Sequence, residues 1–149
     1  MNLFSMLRPV AVLLVAAGIV TFPSRASAED RPFFLRGTAQ FVSPTGDFIG
    51  AGNATHMGHY TEIGSAVISG DNPFALQVSG CAIVTAANGD ELWVEINGQF
   101  NAVTGTITAT DTYWGGTGRF ENATGSARLV AQAQPDGTFV VVVVGTLDY

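Results

Sequence analysis

The sequence predicts an all-β fold, a small antiparallel barrel of about eight strands behind an N-terminal signal peptide. Three observations carry this. Apolar and polar residues alternate with period two through most of the chain after residue 28, turn residues punctuate it at short intervals, and no stretch repeats at helical spacing. Gly and Thr interrupt every segment that could otherwise coil, and Lys is absent.

The leader comes first. Arg8 precedes an uncharged run from Val10 to Val20, Thr21-Phe22-Pro23-Ser24 breaks it, and Ala26-Ser27-Ala28 offers the small residues of a cleavage site. Eleven apolar residues are far short of the roughly 20 that span a bilayer as a helix. Residues 1–28 are therefore expected to be removed on export to the periplasm or the exterior, leaving residues 29–149 as one domain. That part has a formal charge of −8, from four arginines against twelve acids, which disfavours nucleic acid as a partner. Its single cysteine, Cys81, rules out an internal disulfide and reads as a small buried or half-buried hydrophobe.

The strands follow in order. Phe33 to Ser43 alternates, with Phe33, Leu35, Ala39 and Phe41 on one face. Phe74, Leu76, Val78, Ala82 and Val84 share a face through Ala86. Asn88-Gly89 then signals a hairpin whose return strand is Glu91 to Ile96. Gln99 to Tyr113 reads as a long strand with five threonines, Thr104 to Thr112, on one face and Val103, Ile107, Ala109, Asp111 and Tyr113 on the other. Ser126 to Gln134 alternates, Pro135-Asp136-Gly137 turns the chain, and Thr138 to Tyr149 ends it with a valine run apolar on both faces. Small inward residues (Gly37, Ala39, Gly105, Ala109, Ala127, Ala131, Gly145) suit a tapering interior or leave space for a ligand. The valine strand suggests a homo-oligomer interface.

Gly115-Gly116-Thr117-Gly118-Arg119-Phe120-Glu121-Asn122-Ala123-Thr124-Gly125 has the form GGTGxFxxAxG. Gly115, Gly116 and Gly118 permit a bend and close strand approach, Phe120 can plug one barrel end, and Ala123 with Gly125 restarts pairing. No Lys-Ser/Thr follows the glycines, so a phosphate cradle is not indicated. This segment resembles the signature of the allene oxide cyclase and dirigent-like barrels, eight-stranded and calycin-like in shape. Gly52 to Gly58 (GNATHMG) resembles a segment of exported bacterial proteins with such barrels. The resemblance implies that an apolar lumen holds a small hydrophobic molecule, or steers a reactive one as an isomerase or cyclase. It implies self-association too, and carries no catalytic acid onto a position here.

Four residues are candidates for lining a ligand: His56 and Tyr60, which share parity, and Asp111 and Tyr113, a carboxyl and a phenol on one face. His56 and His59, three apart on an extended chain, face opposite ways and cannot share a metal unless a bend intervenes. No metal or cofactor is implied. Trp93 with Glu95 reads as an exposed or interface face. The aromatic C-terminus, Phe139 to Tyr149, leaves an eight-stranded outer-membrane barrel as an alternative, but the Thr-rich and Gln-rich faces offer no continuous lipid-facing band. A structural surface protein assembled through the valine strand is a further alternative.

Overall fold

A computed structural model describes residues 30–149; the leader, residues 1–28, lies outside them. The chain forms a closed antiparallel barrel in sequence order, built from β1 (Arg31–Phe41), β2 (Asp47–Ala54), β3 (Gly58–Ser69), β4 (Leu76–Thr85), β5 (Glu91–Asn101), β6 (Thr106–Gly116), β7 (Thr124–Ala133) and β8 (Phe139–Asp148). The β1–β8 ladder closes it, from Arg31 opposite Leu147 to Ala39 opposite Phe139. Closure removes both sheet edges and gives every strand an inner and an outer face. Alternation then decides which side chains leave water. Phe33, Leu35, Val78, Ala82, Val84, Leu92, Val94, Ile96, Ile107 and Val141 all fall inside and form one core.

The structure corrects several boundaries. The interval 44–73, unassigned from sequence, supplies β2 and β3. The long strand expected from Gln99 to Tyr113 is two half-strands, because the chain reverses at residues 102–105. There the Asn101 side-chain oxygen accepts the Val103 and Thr104 amides, and Gly105 belongs to this turn rather than to an inner face. Phe74 is exposed in the β3–β4 loop, where its amide is held by the Asn72 side chain, and so does not begin β4. Cys81 is exposed, opposite in parity to the inward Ala82. At Asn88-Gly89 the hairpin forms where expected, but only Gly89 has positive φ. The connection from Ala86 to Asp90 is longer than the two-residue turn that would need positive φ at both.

The two barrel ends differ. At one, the GGTGRFENATG segment folds over the lumen: a single 3-10 turn, Gly118–Phe120, drops Phe120 inside, fully buried, beside buried Ala123. Thr117 accepts the Glu91 amide through its hydroxyl at 2.9 Å, and Arg119 pairs with Asp90 at 3.6 Å. Gly118 has φ 55° with its α-carbon against the Asp90 carboxylate, so both its backbone shape and its lack of a side chain are used. A register shift between Leu92 and Val94 faces Gly115 and Gly116, and Gly125 opens β7 opposite Leu147. Met57, Leu92 and Leu147 complete the plug, and Tyr149 packs edge-on against Phe120 at 5.0 Å. The opposite end is ringed by Phe41, Phe48, Phe100 and Phe139, with Phe41 5.9 Å from both Phe48 and Phe139.

Phe120 is thus the central element of the closed end. Phe120→Ala is expected to cost about 3–5 kcal/mol of unfolding free energy in urea titrations, as for other buried phenylalanines. Phe74→Ala, at an exposed loop position, is expected to stay within about 0.5 kcal/mol of the parent. Equal effects at the two positions would contradict the plug.

Candidate functional site

Period-two alternation puts polar side chains inside as well as apolar ones. On β3, Tyr60 and Glu62 occupy consecutive inward positions; on β6, three strands around the wall, Asp111 and Tyr113 do the same. Tyr60, Asp111 and Tyr113 are buried, and Asp111 retains only 6% of its surface. The small residues of β1 and β2 make space for the β3 pair. The Tyr60 hydroxyl lies against Gly37, where a Cβ would collide with it, and a Cβ on Gly50 would sit 2.8 Å from Glu62 Oε2. Phe33 packs edge-on against Tyr113 at 5.4 Å, fixing the phenol from the closed side.

Between this polar layer and the ring of phenylalanines is a cavity of about 60 Å³ lined by Ala39, Phe41, Phe48, Ala66, Ile96, Ile107 and Val141, among others. Among the described residues, Glu62 is the only ionisable side chain in its wall. The remainder of the lumen is filled with side chains, as eight-stranded barrels generally are. Such a cavity accepts a few water-sized groups or a narrow aliphatic segment, and anything larger must displace the aromatic ring.

The electrostatics are one-sided. Burial pushes the Glu62 carboxyl up to about 7. Asp111 is pushed further, to about 8, first by burial and then by repulsion from Glu62. Burial raises the Tyr113 phenol, with Asp111 and Glu62 adding to it, and raises Tyr60 in the same way with help from Glu62. Asp111 Oδ1 and Tyr113 Oη are buried and have no hydrogen-bond partner. Orphaned polar atoms of this kind are costly and uncommon in folded proteins. Near neutrality Glu62 is poised to give or take a proton, which is what general acid–base chemistry requires.

His56 is elsewhere. It stands exposed in the β2–β3 turn with φ 66°, its Nε2 3.0 Å from the Pro32 carbonyl and its ring 5.7 Å from Tyr149. The turn breaks the parity it shares in sequence with Tyr60, so His56 is not in the polar layer. His59 faces outward on β3, and among the described residues no three His, Cys, Asp or Glu side chains gather as a metal site. Glu62 was missed from sequence, although its spacing from Tyr60 mirrors that of Asp111 from Tyr113. Outside the barrel, Ile49, Ile63, Ile83, Trp93 and Trp114 form a row across β2 to β6, with the two indoles 5.0 Å apart, beside an open surface groove of about 620 Å³.

Compared with protein-family models, curated proteins and solved structures, the chain matches none.

The raised carboxyls link stability to pH with a definite sign. Above pH 4.5 the unfolded chain releases the Glu62 proton, and above 3.8 that of Asp111, while the fold retains both until about 7 and 8. The folded state binds more protons across that window, so stability falls as pH rises. Urea denaturation at about pH 5 and about pH 8.5 is expected to show a loss on the order of 6 kcal/mol. Asp111→Asn should flatten much of that slope. A stability that rises over this interval would contradict the burial of the pair.

Proposed function

We propose that this barrel binds a small hydrophobic molecule in its lumen, admitted through the ring formed by Phe41, Phe48, Phe100 and Phe139. The single observation behind this reading is the cavity itself: it is walled by apolar side chains, borders the phenylalanine ring through Phe41, Phe48 and Phe139, and carries one ionisable carboxyl, Glu62. Apolar pockets with a few convergent polar groups are the usual form of a small-molecule site. The signal-like leader and the GGTGRFENATG segment support placing the protein among exported barrels similar to the allene oxide cyclase and dirigent-like proteins. The outward row Thr106, Thr108, Thr110 and Thr112 and the neighbouring Glu95, Asn97 and Gln99 favour a water-facing exterior over a membrane barrel. On β8, Val144 is exposed beside Phe34, which supports self-association there.

A second reading rests on Glu62. A carboxyl half-ionised near neutrality at the base of an apolar cavity supports acid–base steering of a reactive lipophilic substrate, in the manner of an isomerase or cyclase. Formation of a product of fixed handedness from a racemising epoxide or polyene would support catalysis; a racemic product at the uncatalysed rate would leave binding alone.

Titration of the isotopically labelled protein with n-hexanol tests the lumen directly. Resonances of Ala39, Ala66, Ile96 and Ile107 are expected to shift, and Ala66→Leu, which fills the cavity, should weaken the response at least about tenfold. Shifts confined to Ile49, Ile63 and Trp114 would instead place binding on the outer groove and overturn the proposal.

A further inference from the structure

The charge balance of the lumen points to the kind of head group it accepts. All four arginines and both histidines of residues 30–149 are exposed on the outside or at turns. The titratable groups facing inward from every strand are Tyr60 and Glu62 on β3 and Asp111 and Tyr113 on β6; the inner faces of β1, β2, β4, β5, β7 and β8 contribute hydrocarbon or glycine around them. A ligand entering the cavity therefore meets one carboxyl, Glu62, in an otherwise uncharged wall, with Asp111 and the two phenols further along the lumen and no cation among the described inward residues. A carboxylate head, such as a fatty acid carries, would add a third buried acid with nothing to neutralise it. An alcohol could donate one hydrogen bond. An ammonium group supplies a positive charge and three donors to the Glu62 carboxyl in the wall, and the unpartnered Asp111 Oδ1 and Tyr113 Oη lie further along the same lumen. The mouth agrees with this, since four phenylalanine rings present faces and edges that tolerate an organic cation in passage.

We propose that the lumen selects a hydrophobic amine, its alkyl tail against Ala39, Ile96, Ile107 and Val141 and its ammonium paired with the Glu62 carboxylate above Asp111. This deepens the lumen-binding reading and rests on it. Glu62 must shed its proton to pair, so the amine binds more tightly as pH rises from about 5 to about 8. A carboxylic acid does the reverse, entering only in its neutral form at the acid end. Asp111 stays protonated over more of this range and donates to the Glu62–ammonium pair or to the phenols.

The test compares three probes of one chain length, n-hexylamine, n-hexanol and hexanoate, by calorimetric titration of the purified protein at about pH 5 and about pH 8. At the higher pH the amine is expected to bind at least about tenfold more tightly than the alcohol, with hexanoate weakest, and the amine-to-alcohol ratio should shrink at the lower pH. Glu62→Gln keeps the side-chain shape and removes the charge; in it the ratio should fall to about one. The outer surface stays equally acidic in that variant, so a preference arising from surface attraction would persist. Hexanoate binding as well as the amine at about pH 8, or an unchanged ratio in Glu62→Gln, would overturn the amine assignment while leaving lumen binding standing. Failure of all three probes to bind would overturn both.

Discussion

Everything particular about this molecule follows from closing an alternating sheet on itself. Once β1 pairs with β8, each inward position is turned toward the lumen and wholly or partly removed from water, whatever residue occupies it. Most inward positions are hydrocarbon, and their burial drives folding. Two are carboxyls, and among the described residues no cation faces the lumen to balance them. The hydrophobic closure that makes the barrel stable is thus also the force that raises the Glu62 and Asp111 proton affinities. Fold and candidate chemistry share one cause.

The division of the lumen is equally physical. Large side chains (Phe120, Met57, Leu92, Leu147) crowd the end that the glycine-rich segment caps, whereas Gly37, Ala39 and Gly50 thin the wall on the other side of the polar layer. Space is left only between that layer and the phenylalanine ring. The result is one narrow apolar chamber with the Glu62 carboxyl in its wall. Phe41, Phe48 and Phe139 form its wall on the side of the ring.

Much of this was legible in the sequence, because period two is a strong signal when both edges are paired. The inward sets Phe33–Leu35, Val78–Ala82–Val84, Leu92–Val94–Ile96 and Ala127–Ala131 were readable from parity, as were Asp111 and Tyr113. The Phe120 plug was readable because three glycines beside one aromatic leave little else for that ring to do. What escaped was set by turns. Asn101, through its side-chain oxygen, ends β5 at a place that alternation alone does not mark. His56, in a left-handed backbone conformation, interrupts the parity that linked it to Tyr60. With no bounds for β2 and β3, Glu62 had no assigned face, and so the partner of Asp111 went unseen until the register brought both walls together.

The most direct measurement is a carbon-13 carboxyl titration of the protein, following Glu62 and Asp111 individually. With Asp111 buried and Glu62 half-buried in the same lumen, both should titrate well above ordinary carboxylates, Glu62 near 7 and Asp111 higher. If both lose their protons below about pH 5, the values of water-exposed side chains, the two acids do not share an apolar lumen and the account fails.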